Sequence, residues 1–356
     1  MSDSNELRQI LSEQVERLLA DQCDREALLA ADAGEWPSAL WAACEEALLT
    51  HVLVPEDQGG VGGCWEDAYE VIRLAGRYAA PVPLAEGILA RALLARAGLE
   101  APDGLLTIAD GGDQARLEGD RLSARFARTP WGAKAEHVVS LVDGDRGPSV
   151  VLAERAALTL DNSDRNAANE PRDDLSADGL TVAAAPCNLP ADGLQRYGAM
   201  IRAAQIAGAV ERLLELSVQY TQERVQFGRA LSKFQAVQQL LAVLAGETTA
   251  SGTAAQSAFR AADGDGDPLF EIAVAKTRCG MAASEGPKIA HQVHGAIGFT
   301  HEHLLHHLTR RLWAWRAEFG ADGHWAALLG RLAARDGGAA LWPMLTARGA
   351  DRRAAG

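Results

Sequence analysis

Basic residues are scarce in this chain: 34 lysines and arginines stand against 48 aspartates and glutamates in 356 residues, a formal net charge of -14. A nucleic-acid backbone requires a basic footprint, so that class of partner is excluded. Aromatic residues make up only 5%, while Ala- and Leu-rich stretches abound, which favours helix over strand. The five cysteines (Cys23, Cys44, Cys64, Cys187, Cys279) are scattered and never form a CxxC pair. That argues against a disulfide framework or a cysteine zinc site and fits a reducing compartment. No apolar run reaches the roughly 18 residues a membrane span requires, and the opening MSDSNELRQI is too polar for a signal peptide. A cytoplasmic protein with no membrane or nucleic-acid partner is expected. What is present, 48% hydrophobic and 23% charged residues, suffices for a large core in two or three packed units.

Three regions follow one another. Residues 1–101 read as an N-terminal helical domain, with Leu7, Ile10, Leu11, Val15 and Leu18 at helical spacing and further helices at 39–49, 65–77 and 85–97. The glycine-rich stretch 54–63 lacks a feeding strand and a GK[ST] sequel, so it reads as a turn rather than a phosphate loop. Residues 102–190 carry short β-type runs, such as Val138–Val142 and Val150–Leu152, separated by Asp-Gly, Gly-Gly and Gly-Pro breaks. They predict a small antiparallel β domain, with 161–178 as a long exposed loop. Residues 191–340 return to long helices, at 197–224, 234–262, 268–295, 304–319 and 325–334, joined by short turns, which predicts a helical bundle. Residues 341–356 are left as a tail. The expected class is mainly α with a central β domain.

Two stretches in the last region carry the chemistry. The first is Gln222-Glu223-Arg224-Val225-Gln226-Phe227-Gly228-Arg229, continuing to Phe234-Gln235; the second is His291-Gln292-Val293-His294-Gly295-Ala296-Ile297-Gly298. Arg224 closes a helix, where a cation suits the macrodipole, and Gly295 suits a helix C-cap. Small residues at 295 and 296 also let backbone approach a bulky ligand.

These two motifs, with Val54 to Gly63, Ala75-Gly76-Arg77 and the order helices, β domain, bundle, resemble the acyl-CoA dehydrogenase family, in particular its shortened members. The likeness spans nearly the whole chain and is weakest in the β domain. It implies that fold, with a C-terminal four-helix bundle, and FAD as cofactor. By resemblance, Arg224 forks onto the FAD pyrophosphate of a neighbouring subunit, as a guanidinium does well, and Phe227 packs on the adenosine portion. Gly228, Gln235, Gln292, Val293, Gly295 and Ala296 complete the cofactor set; Ala296 departs from the family's Gly-Gly. The implied reaction oxidises an acyl-CoA across its α and β carbons, a carboxylate taking the α proton while hydride passes to the flavin N5. The matching carboxylate is Glu318, offset by one residue; a second family position for the base falls on Gly198, which has no side chain. Trp131 matches a flavin-facing segment. The alternative is a non-catalytic or half-site subunit of a heteromeric enzyme whose partner chain supplies the base. Expected partners are the acyl-CoA, a second copy or a related subunit, and an electron-transfer flavoprotein.

No metal is expected. The run His301-Glu302-His303-Leu304-Leu305-His306-His307 is not HExxH, because Leu305 stands where the second histidine belongs, though His303 and His307 are one helical turn apart. Asp263-Gly264-Asp265-Gly266-Asp267 lacks the Gly and Glu of a calcium loop and reads as a turn with Asp267 capping the next helix.

Overall fold

A computed structural model describes residues 2–350. Five helices come first: α1 (Ser2–Gln22), α2 (Arg25–Ala33), α3 (Ser38–Glu46), α4 (Trp65–Arg77) and α5 (Leu84–Ala97). Their apolar stripes meet around Val15, Leu19, Leu28, Leu40, Val71 and Leu89, all buried. The 54–63 stretch is a loop with a single 3-10 turn, as expected.

Eight strands form one sheet: β1 (Leu106–Ile108), β2 (Ala115–Glu118), β3 (Arg121–Pro130), β4 (His137–Gly144), β5 (Gly147–Glu154), β6 (Thr159–Arg165), β7 (Pro171–Thr181) and β8 (Ala183–Pro186). Along the sheet the order is β6-β7-β3-β2-β4-β5-β8, with β1 also paired to β4. Most pairs are antiparallel, but β1 and β2 each run parallel to β4, so the sheet is mixed rather than purely antiparallel. Successive β4 side chains alternate between two cores: Val138 and Val142 pack with Phe126 and Leu175, Val139 and Leu141 with the helices. The expected loop at 161–178 is instead mostly strand. β6 is exposed along its whole length and holds its place through backbone pairing with β7, a pairing that leaves no apolar trace in the sequence.

The second helical part is built on α6 (Gly193–Glu223), which is flanked by α4, α7 (Gln235–Ala262), α8 (Leu269–His294) and α9 (Leu305–Ala317). From Gly193 to Val210 every residue of α6 except Gln195 and Arg196 is buried. Backbones approach closely where α4 crosses α6: a Cβ on Gly76 would lie 2.1 Å from the Gln205 carbonyl, and one on Gly208 1.9 Å from that of Arg73. The N-cap position of α8 falls on Pro268, one residue after the expected Asp267, whose carboxylate accepts from the Leu269 amide at 3.0 Å. α10 (Asp322–Asp336) packs on α8. A further helix, α11 (Gly338–Ala350), runs from the expected bundle into the segment left as a tail, and residues 351–356 of that segment lie outside the described residues. No helix among the described residues is long and apolar enough to cross a membrane.

Candidate cofactor face and a filled crevice

The two motifs meet at one end of the bundle. Arg224 is the C-cap of α6, its amide bonding to the Tyr220 carbonyl. The chain then forms a two-stranded hairpin, β9 (Val225–Gln226) and β10 (Arg229–Ala230), whose turn is Phe227-Gly228. Both turn residues have positive φ, 50° and 77°, the sign a tight hairpin turn of this hand demands. For Phe227 that is an unfavourable backbone region, and its ring is 90% exposed. Gln235 opens α7 on the exposed side. The second motif ends α8: Gln292 is exposed, Val293 buried, and Gly295 turns the chain at φ 64°, with open space where a Cβ would go. Ala296 follows, exposed, in a 3-10 turn. Tyr220 stacks on His294 with ring centroids 4.6 Å apart, tying the end of α6 to the end of α8. The face therefore presents a guanidinium, two carboxamides, a bare aromatic ring and an open glycine corner. Among the described residues no carboxylate pairs with Arg224. That donor set fits a pyrophosphate and a purine ring.

Glu318 lies elsewhere, at the C-cap of α9 against the sheet. Its carboxylate accepts from Arg172 Nε at 2.8 Å, Arg202 Nε at 2.7 Å and Asn166 Nδ2 at 3.1 Å. Arg172 also donates to Glu170 at 3.0 Å and Arg202 to Glu86 at 2.5 Å; Arg311 approaches Glu170 at 3.4 Å. Three carboxylates thus face three guanidiniums in a buried, charge-balanced network joining α5, the β6–β7 turn, α6 and α9. Trp315 Nε1 adds a bond to Glu170. Burial alone would push the Glu318 pKa up, but Arg172 and Arg202 outweigh it and hold the carboxyl at about 2. Glu318, the residue expected as α-proton base, is thus engaged by two guanidiniums, an environment that weakens a carboxylate as a proton acceptor. Nor does Glu318 pair with Arg316, which forks onto Asp322 instead.

The other base position is closed as well. A Cβ on Gly198 would lie 2.4 Å from the Phe319 ring, which fills the space above it, and the Arg202 guanidinium stands 5.8 Å from that ring. Phe319 takes φ 52° to do this. Trp131 is buried with Arg172 5.2 Å from its ring centroid. Beside the network, Lys276 is buried and donates to the carbonyls of Trp315 and Arg316 at 3.0 and 2.8 Å, capping α9; burial pulls its pKa down to about 7. Neither Glu86, Glu170, Arg172, Arg202 nor Lys276 was singled out from the sequence. The signal was there for Arg202 and Glu86, lone charges inside the apolar runs Met200–Val210 and Leu84–Leu89.

Residues 195–331 match the family profile described as acyl-CoA dehydrogenase, C-terminal domain. Over 307 residues the chain is 30% identical to the acyl-CoA dehydrogenase IpdE2 of Mycobacterium tuberculosis, spanning 85% of this chain and 89% of that one. Among solved structures, the Tcur3481-Tcur3483 steroid ACAD superposes with a TM-score of 0.84 at 24% identity, over 92% of this chain and 98% of its own. The ChsE4-ChsE5 complex from M. tuberculosis gives 0.83 at 22%, over 92% and 96%.

Proposed function

Since the chain belongs to the acyl-CoA dehydrogenase family, whose members bind FAD, we propose that it acts as one subunit of a heteromeric acyl-CoA dehydrogenase. In this reading the related partner chain supplies the α-proton base. The carrying observation is the state of the crevice, where Glu318 is pinned between Arg172 and Arg202 and Phe319 covers Gly198. Two solved structures with the same fold are titled as two-chain assemblies, one a steroid ACAD and one the ChsE4-ChsE5 complex, which supports the subunit reading. The reaction would be oxidation of an acyl-CoA to the α,β-unsaturated product, and the likeness to a steroid ACAD supports a steroid-like acyl group.

This chain would hold FAD on its exposed face. Arg224 would fork onto the pyrophosphate, Phe227 and Gly228 would border the adenosine, and Gln235, Gln292, Val293, Gly295 and Ala296 would line the rest. When bound, FAD supplies the hydride acceptor. The chain's own work is to bind and orient the cofactor and to exclude water from it; the open corner at Gly295 leaves backbone free for close approach. An electron-transfer flavoprotein would reoxidise the assembly. The five free cysteines fit a cytoplasmic setting.

The test is expression of this chain alone and with a family chain that carries a free glutamate base. Stable flavin and acyl-CoA-dependent bleaching should need both chains, and Glu318→Gln here should leave the rate of bleaching unchanged in the assembly. A yellow homo-oligomer of this chain that bleaches alone, and stops on Glu318→Gln, would reject the subunit reading and restore Glu318 as base.

A further inference from the structure

A second cluster stands at the start of α9, at the other end of that helix from Glu318. Asp32 on α2 meets His306 and His307 at the start of α9, with one ligand-type atom from each residue within 4.8 Å of the others. His306 Nδ1 is engaged with the His303 carbonyl at 2.8 Å. That bond places the proton on Nδ1 and leaves the Nε2 lone pair free. Nε2 is buried and has no partner. This is the arrangement by which a backbone carbonyl orients a metal-ligating imidazole. His307 is only 1% exposed, and neither of its ring nitrogens makes a hydrogen bond of good geometry, although Nδ1 stands 3.2 Å from Asp32 Oδ2. Two buried imidazole nitrogens with no partner, His306 Nε2 and His307 Nε2, in one place are costly for a folded chain unless something binds them.

We propose that Asp32, His306 and His307 form a site for a borderline divalent cation of the Zn2+ type. Two imidazoles and one carboxylate match the ligand preference of such ions, and three protein ligands leave a fourth position for water. Calcium and magnesium are disfavoured, because they seek oxygen-rich shells. Arg310 donates to Asp32 Oδ2 at 2.9 Å, so the cation would share the carboxylate with a guanidinium. Arg311 also lies close enough to act on Asp32, while its guanidinium approaches Glu170. The bound ion would staple α2 to α9 at the end opposite Glu318 and fix the helix from which the buried network is built. His301 and His303, the other histidines of the run, lie outside the site, the first against the edge of the His306 ring at 5.4 Å. The site does not depend on the assignment of the chain as a subunit.

The experiment uses the full chain, treated with a chelator and then titrated with Zn2+ in competition with a chromophoric chelator, and separately with Co2+. One Zn2+ per chain is expected, together with a higher melting temperature and the intense visible bands of four-coordinate Co2+. His306→Ala and Asp32→Asn should each weaken Zn2+ binding by about tenfold or more, and His301→Ala should not change it. A weak six-coordinate Co2+ spectrum in the unsubstituted chain overturns the site whether or not the variants fold. So does Zn2+ affinity that survives His306→Ala and Asp32→Asn but falls with His301→Ala.

Discussion

Replacing Glu318 by glutamine separates a structural carboxylate from a catalytic one. The amide keeps the volume and removes the negative charge held between Arg172 and Arg202. In the folded chain that carboxyl is held at about 2, against about 4.3 for an unconstrained glutamate. A depression of about two units, at about 1.4 kcal/mol each, corresponds to about 3 kcal/mol of folding stability. Because the folded pKa is the lower one, this contribution is fully present above about pH 4.5 and is lost as pH falls toward 2. Stranding two guanidiniums next to a neutral amide gives a similar cost, about 3–5 kcal/mol for breaking a buried pair. Urea unfolding of both proteins at several pH values reads the effect directly. The parent should exceed Glu318→Gln by about 3 kcal/mol near neutral pH, with the gap roughly halved near pH 3. A gap under about 0.5 kcal/mol at neutral pH, or one that does not change on acidification, would refute the argument.

Three further outcomes follow from the same structure. Arg224→Ala in the assembled enzyme should lower flavin occupancy at least about tenfold, the loss of one charge-assisted contact of about 1.5–3 kcal/mol, as read by the ratio of flavin to protein absorbance; full occupancy would remove Arg224 from the cofactor face. Gly198→Ala should destabilise by about 1–3 kcal/mol through overpacking against Phe319, and Phe319→Leu in the same chain should recover part of that loss in chemical denaturation. Lys276 has a folded pKa of about 7, below the unfolded value of about 10.4, so the unfolded state binds more protons between these limits and stability should rise with pH across that window. Lys276→Met should flatten this rise, and an equally steep rise in the variant would show that another group causes it.

The fold was readable because α4, α6, α7 and α8 repeat apolar residues at the spacing of a buried helix face, and strands such as β4 and β5 have β-branched runs with clear breaks. β6 was not, because it is exposed throughout. A strand that buries nothing leaves only its ladder of backbone bonds, and backbone is the same in every sequence. The parallel pairing of β1 and β2 with β4 is likewise a matter of tertiary order. In the candidate site, Arg224 and Gln292 stand in compact motifs and could be picked out by their neighbours. The crevice network could not, since Glu86, Glu170, Arg172, Arg202 and Glu318 are far apart along the chain and each looks like an ordinary charge. What marks them is burial, and only the lone charges in the apolar helices α5 and α6 hinted at it.

The packing of Phe319 over Gly198 has a consequence for where this chain can go next. Any carboxylate introduced at 198 meets an aromatic ring at 2.4 Å, and freeing Glu318 means losing Arg172 or Arg202, either of which strands a buried partner. No single substitution therefore puts an unpaired carboxylate into the crevice. The crevice is locked from two sides: a side chain at 198 is blocked by a ring, and a change around Glu318 leaves a buried charge without its partner.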